Sequence, residues 1–240
     1  MRLSRFYTDH ALVPDTDVVL DGDQAHYLGK VLRVKPGQHC LLFNGADGEF
    51  LAEVTDVNKR DVRLRLLERR KSTPDSSLAV HLGLGLSRGE RMDYAIQKAT
   101  ELGVTEITPL FTEFSEVKLS NERADKRAAH WQKVAVSASE QCGRSSVPVI
   151  HSPMPLTEWV TAVPAGQGFL LDHTGSAGFS GAAPDAVCLL VGPEGGTSDT
   201  EKSLAIAAGF ATVKLGPRVL RTETAPVVAL TALQLQWGDF

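Results

Sequence analysis

The sequence predicts an α/β protein in two parts, a small β-rich module followed by a larger domain built on a mainly parallel sheet. Three observations predict it. Up to residue 67 short extended segments are broken by turn signals; Lys71-Ser72-Thr73-Pro74-Asp75-Ser76-Ser77 is polar and without period; beyond it, short apolar runs alternate with stretches of helical spacing. The boundary therefore falls near residue 74, with a module over 1–73 and a domain over 74–240.

In the first part Val18 to Leu20, His39 to Asn44, Phe50 to Val57 and Val62 to Leu67 are the expected strands, and Asn44-Gly45-Ala46-Asp47-Gly48 is a hairpin turn. Val62, Leu64 and Leu66 alternate with Arg63 and Arg65, the period of a sheet with one wet face. This predicts a β-barrel-like module. In the second part Leu78 to Leu86 is a strand, then Met92, Ala95, Ile96, Ala99 and Leu102 mark a helix that Gly103 stops. Ile107 to Leu110 is extended, and a long helix spans Asn121 to Cys142, with Trp131, Val134, Ala135, Ala138 and Cys142 on one stripe. Val147 to Ile150, Phe169 to Leu171 and Val187 to Val191 have the look of buried parallel strands. Two last helices follow Ser198 and Thr224, and Gly175 to Ala183 reads as a surface loop.

The composition, 42% hydrophobic and 22% charged, is that of a chain able to bury a core. No apolar run nears the roughly 20 residues that span a bilayer, which predicts a cytoplasmic protein with no membrane segment. Cys40, Cys142 and Cys188 form no CxxC, and the seven histidines form no HxH or HExxH, so neither disulfides nor a metal is expected. Net charge is −4 overall, yet residues 1–72 hold twelve Lys/Arg against eleven Asp/Glu, which tilts anion contact toward the first part.

Two loops concentrate chemistry. The apolar strand ending at Val191 runs into Gly192-Pro193-Glu194-Gly195-Gly196-Thr197, and Ser198-x-x-Glu201 then forms a capping box that opens a helix. Strand, glycine loop and helix make either a tight turn or a ligand site, because glycines at a strand's carboxyl end let backbone approach a ligand. The loop lacks GxGxxG and the Lys-Ser/Thr of a P-loop. Between the strand Ala211 to Leu215 and the last helix lies Leu215-Gly216-Pro217-Arg218-Val219-Leu220-Arg221-Thr222-Glu223-Thr224-Ala225-Pro226, in which Thr224 can cap the helix and Pro226 suits its first turn. Capping does not require Arg218, Arg221 and Glu223 there as well.

Together the GPEGG and LGPRVLRTETA loops resemble the signature of SPOUT-class RNA methyltransferases, in particular the family that methylates N3 of a uridine in 16S ribosomal RNA. Further blocks are similar along the whole chain: Arg5-Phe6-Tyr7, His26-x-x-x-Lys30-Val31-Leu32-Arg33, Ile96-Gln97-Lys98-x-x-Glu101-Leu102-Gly103-Val104, and Glu140-Gln141-x-x-Arg144. Thr197 departs from the family's phenylalanine after GPEGG, and Arg88-Gly89 from its Lys-Gly pair.

The resemblance implies a PUA-like N-terminal barrel that binds RNA and a trefoil-knotted α/β domain that binds S-adenosyl-L-methionine, in a homodimer acting on 16S rRNA of the small ribosomal subunit. The cofactor would lie among Leu171, Val191, Gly192, Pro193, Glu194, Gly195, Gly196, Leu215, Gly216, Leu220, Thr222 and Ala225. Arg221 would stabilise the uracil anion and Glu223 take its proton, unless the two form a structural ion pair. Arg2, Arg5, Lys30, Arg33 and Lys35 of the module, with Arg88 and Arg144, are the expected RNA contacts. Other readings are a methyltransferase of transfer RNA or large-subunit rRNA, an RNA-binding module without catalysis, and a doubly wound oxidoreductase.

Overall fold

Alternation in the first part puts every second side chain into one core. The computed structural model describes residues 3–72, 74–116, 121–162 and 166–240, and the chain divides into two units: 1–75 with 139–147, and 76–138 with 148–240.

The first unit carries the strands β1 (Arg5–Tyr7), β2 (Asp17–Asp21), β3 (His39–Phe43), β4 (Glu49–Val57) and β5 (Asp61–Arg70) in one sheet of order β1-β3-β4-β5-β2. Val62, Leu64 and Leu66 are fully buried beside Val18, Leu20, Leu42 and Val54, while Arg63 and Arg65 face solvent. The pairing leaves β1 and β2 as edges, so the module is a half-barrel. The sequence pattern missed β1, only three residues long, and the short helix α1 (Gly22–His26) that runs into a π-turn over Tyr27–Val31. There only Ala25 and Leu28 are buried, too few positions to register as a period.

Arg5 is the pin of this unit. Its side chain is 5% exposed and pairs with Glu49 at 2.6 Å; it donates further to the carbonyls of Ser139 (2.8 Å), Glu140 (3.3 Å) and Arg144 (2.8 Å), and its guanidinium lies 4.5 Å over the Phe43 ring. Glu140 in turn accepts from the Tyr7 amide at 3.0 Å, and its carboxyl is pushed up by burial despite that bond and the nearby Arg5. The expectation that Arg5 contacts RNA is thus corrected: its donors are consumed inside the protein.

In the second unit the strands β6 (Ala79–Gly85), β7 (Glu106–Phe111), β8 (Val149–Ile150), β10 (Gln167–Ala177), β11 (Ala186–Val191) and β12 (Ala211–Lys214) form a parallel sheet of order β12-β10-β11-β6-β7-β8, and β9 (Met154–Pro155) pairs with β7. Helices α2 (Glu90–Glu101), α3 (Asn121–Cys142), α4 (Leu156–Ala162), α5 (Asp199–Ala207) and α6 (Ala225–Trp237) complete it; α2 packs with α6, and α4 with α5. Gln234 on α6 is buried and tied at both ends, accepting from Ser76 Oγ (2.7 Å) and donating to the Leu102 carbonyl (3.1 Å). Among the described residues no helix is long and apolar enough to cross a membrane.

Two differences from the sequence reading have local causes. Gly175 does not begin a loop, because β10 breaks register between Leu171 and Ser176 and resumes on β12; an added Cβ at Gly175 would stand 2.9 Å from Thr212 and Val213 backbone. Thr224 takes the N-cap position of α6 in helical conformation (φ −85°, ψ −36°), which keeps its hydroxyl from forming the cap bond. By contrast Ser198 accepts from the Glu201 amide in a complete capping box.

Replacing Arg5 with alanine leaves Glu49, 11% exposed, buried without its cation, and is expected to cost about 3 kcal/mol or more. Urea denaturation of the full chain measures this. A loss of RNA affinity with an unchanged urea midpoint would return Arg5 to the RNA surface.

Candidate functional site

Parallel strands deliver their carboxyl ends to one side of a sheet, and ligands of open α/β sheets bind there, where strand order reverses. From β6 the chain proceeds to β7 and β8 on one flank and afterwards fills the other flank with β11, β10 and β12, so the reversal lies at the β6–β11 boundary. The loop Gly192 to Thr197 leaves β11 at that boundary.

Close backbone approach sets the loop's place. A Cβ on Gly85, the last residue of β6, would lie 2.4 Å from Pro193 N, and one on Gly195 would lie 2.6 Å from Phe114 Cβ. Gly196 has φ +75°, the left-handed region that glycine favours. From the other side the buried Thr222 hydroxyl donates to the Gly192 carbonyl at 3.1 Å and lies 3.2 Å from Ser87 Oγ, a chain of bonds that joins the ends of β6, β11 and the segment after β12.

Glu194 reaches over α2, whose N-cap Gly89 offers no side chain: its carboxylate accepts from the Arg88 amide (3.2 Å) and from Arg91 (2.9 Å). Burial works to raise its pKa, but these bonds and its own amide hold it below the usual carboxylate range. Asp172 and His173 lie in the register break of β10 and line the same cavity as Glu194. Burial also works to raise Asp172, yet hydrogen bonds from Lys202 and Thr174 outweigh it and hold the carboxyl at about 2, with Lys202 Nζ at 2.7 Å.

These segments enclose a cavity of about 560 Å³. Leu171, Val191, Gly192, Pro193, Glu194, Gly195, Gly196, Leu215, Gly216, Leu220, Thr222 and Ala225 all line it, as do Arg221 and Glu223. It also draws in residues that the sequence reading did not single out for the pocket, Arg91 and Lys214. Concentrated charge in the loop after Leu215 was the signal for Arg218; nothing in the sequence pointed to Arg91, whose place depends on Glu194. No ion pair joins Arg221 to Glu223. Instead Glu223 Oε2 is buried with no hydrogen-bond partner among the described residues, an unsatisfied acceptor of the kind that marks a functional group.

A second cavity of about 510 Å³ adjoins the first through Arg91, Glu194 and Gly195, and is lined further by Arg88, Glu116 and Phe114, whose ring is 46% exposed. Arg88 there pairs with Glu116 at 2.8 Å. Of the other basic residues singled out, Lys30, Arg33 and Lys35 are exposed in the first unit, on and after the π-turn, with Arg33 at φ +52°. Arg144 is not free for RNA as expected: its side chain is 11% exposed and pairs with Asp75 at 3.1 Å. Arg2 lies outside the described residues.

Residues 74–234 match the model of the RNA methyltransferase domain, and residues 20–67 that of the RNA methyltransferase PUA domain. The ribosomal RNA small subunit methyltransferase E of Buchnera aphidicola (Schizaphis graminum subspecies) is 34% identical over 241 residues, 99% of this chain and 98% of that one. Among solved structures, a Legionella pneumophila methyltransferase in complex with its cofactor SAM aligns with a TM-score of 0.96 and 37% identity over the whole of both chains. The ribosomal RNA small subunit methyltransferase E of Neisseria gonorrhoeae, bound to S-adenosyl methionine, aligns at 0.91 with 35% identity, again over both chains in full.

The Asp172 ion pair carries a pH signature. Its folded pKa is depressed from 3.8 to about 2, so its stabilisation is complete above about pH 4 and is lost as pH falls toward 2. Carboxyl NMR titration of Lys202→Met should show Asp172 rising toward its ordinary value; an unchanged titration would discount the pair.

Proposed function

The chain belongs to the ribosomal RNA small subunit methyltransferase E family, and from that membership we propose that it transfers a methyl group from S-adenosylmethionine to N3 of a uridine in 16S rRNA of the small ribosomal subunit. The observation that carries the reading is the 560 Å³ cavity in which the register break of β10 and the loops after β11 and β12 converge.

The residues fit the cofactor. Gly192, Gly195 and Gly196 bring bare backbone to the cavity, Leu171, Val191, Leu215 and Leu220 give it apolar walls, and Glu223 leaves a buried oxygen unpartnered. Bound there, S-adenosylmethionine supplies an electrophilic methyl group on a good leaving group, so the protein's work is to position the base, exclude water and help N3 lose its proton. Glu223 Oε2, short of a donor, suits proton acceptance, and Arg221 in the same loop suits the anion that develops on the uracil.

N3 lies on the pairing edge, so the uridine must be extruded or unpaired. The adjoining cavity offers the exposed face of Phe114 for stacking and Arg91 at the shared wall. Arg218, Arg221 and Lys214 line the first cavity with no ion pair among the described residues, and Lys30, Arg33 and Lys35 are free at the surface of the first unit. Such cations position a phosphate backbone without reading its sequence. The reading includes the knot and the homodimer. In support of the dimer, α6 has no charged residue in thirteen and keeps Leu235, 66% exposed, and Val228 at the surface; exposed apolar side chains on an uncharged helix call for cover.

Incubation with labelled S-adenosylmethionine and unmethylated small subunits, naked 16S RNA or transfer RNA, followed by nucleoside mass spectrometry, tests the assignment. Methylated uridine is expected from the first or second substrate. No transfer to either would end the 16S reading, and label in transfer RNA would move it to another RNA. Glu223→Gln is expected to lower kcat by about 10² or more with cofactor affinity kept; equal activity would leave Glu223 a binding group only.

Gly195→Val is expected to abolish cofactor binding in calorimetry, since its Cβ collides with Phe114 and displaces the loop. Unchanged affinity would show that the loop is only a turn.

A further inference from the structure

His81, Glu106 and His151 are separated by 25 and 45 positions, yet the sheet brings them together. The β6–β7 register sets His81 opposite Glu106, and the chain leaving β8 is fixed by the bond from the His151 amide to the Ile107 carbonyl at 2.9 Å. Glu106 Oε2 then lies 2.7 Å from His151 Nε2 and 3.9 Å from His81 Nδ1, and the two rings stand 5.3 Å apart. One ligand atom from each residue falls within 4.8 Å of the others.

We propose that His81, Glu106 and His151 form a binding site for a divalent transition metal of the zinc class, distinct from the methyl-transfer cavity. Two imidazoles and one carboxylate are a donor set that borderline divalent ions take in preference to magnesium or calcium. Ligand bonds of about 2.0–2.2 Å put tetrahedral donors roughly 3.3–3.5 Å apart. The 2.7 Å pair would open and the 3.9 Å pair close by less than about 1 Å, and the two imidazole nitrogens, within 4.8 Å of each other, would close by at most about 1.5 Å, movements side-chain torsions supply.

The surroundings favour a ligand over a plain hydrogen-bonded pair. A Glu–His pair requires only Glu106 and His151. His81 adds a third donor whose other nitrogen is already anchored: Nε2 lies 2.8 Å from the hydroxyl of Thr108, itself 1% exposed, which leaves Nδ1 turned to the carboxylate. Orientation of a ligating imidazole through its remote nitrogen is the usual support of a metal site. Trp159 packs edge-on at 5.4 Å and walls the inner side; its indole N–H stands 3.4 Å from His81 Nε2, a long contact given up when Nε2 carries the proton, donates to Thr108 and frees the Nδ1 lone pair for the ion. Glu106 and His151, 44% and 40% exposed, leave a path for the ion and for water as a fourth ligand.

His81 precedes Gly85 by four residues on β6, about 13 Å along the strand. An ion there does not reach the reacting groups; it would tie β6, β7 and the segment after β8 beneath the loop that β6 supports. The role is structural and independent of the proposed reaction.

The full chain, stripped with a chelator and dialysed, is titrated with Zn²⁺ by calorimetry and with Co²⁺ by visible absorption. One ion per chain, a four-coordinate cobalt spectrum and a raised Tm with Zn²⁺ are expected. His151→Ala and Glu106→Gln should each weaken binding about tenfold or more; both residues are partly exposed, so the variants should fold, as circular dichroism checks. Cys188→Ala should leave binding intact, since Cys188 faces His81 across the β6–β11 register but lies outside the three-ligand group. Absence of stoichiometric binding, affinity untouched by the first two variants, or binding abolished by the third would overturn the site.

Discussion

Everything at the carboxyl edge of the parallel sheet depends on one close approach, that of Gly192-Pro193 backbone against the end of β6. Only a residue without Cβ at position 85 permits it, since the atom would stand 2.4 Å from Pro193 N. Once there, the Gly192 carbonyl is fixed by Thr222, and Thr222 is held to Ser87 just beyond β6. Both hydroxyls are buried, where an unmade bond is costly and a made one is correspondingly specific. Three segments distant in sequence are thereby fixed before any ligand arrives, the condition under which a site contributes positioning rather than reorganisation.

The charges at the cavity sort by whether the protein already uses them. Glu194 serves α2 through the Arg88 amide and Arg91, and Asp172 serves Lys202, so these two carboxylates are internally compensated, while Glu223 keeps an unpartnered oxygen. Arg218, Arg221 and Lys214 have no ion pair among the described residues. An otherwise acidic chain therefore turns three such cations against one unpaired carboxylate toward this edge, which a net charge of −4 conceals.

The same distinction explains what could be read from the sequence. Strands of the half-barrel were legible through Val62, Leu64 and Leu66 because burial on one face imposes period two. The cavity loops were legible because glycine and charge accumulate at strand ends, where neither propensity nor packing asks for them. Arg5 and Arg144 were misjudged for a physical reason: sequence shows a charge but not its partner, and the carbonyls of Ser139, Glu140 and Arg144 that hold Arg5 lie more than 130 positions away. Two of those carbonyls, of Glu140 and Arg144, belong to the block Glu140-Gln141-x-x-Arg144, so two pieces of the resemblance, each holding an arginine expected to contact RNA, are halves of one structural joint. The His81, Glu106 and His151 group was invisible to any spacing rule, because parallel register and not local period assembles it. Helix α4 escaped because two turns give too few buried positions to mark a period.

The glycines of the Gly192 loop were expected to let a ligand come near, and the structure gives them a prior duty. Gly195 yields to Phe114, Gly192 to the backbone of Gly196 and Thr197, and Gly196 to its own positive φ. Each is set by the protein, the first two by close neighbours and the third by its own backbone conformation. The loop is therefore glycine-rich in order to be folded back tightly, and the bare backbone it shows the cavity follows from that folding. A loop so constrained has little conformational freedom left to lose on binding, which favours affinity by the same term that a flexible glycine loop would sacrifice. Thr197, in place of the aromatic residue usual in the resembled family, lines the cavity and meets Gly192 only through its backbone nitrogen, so the identity of its side chain leaves the loop's course to Gly85, Phe114 and Thr222.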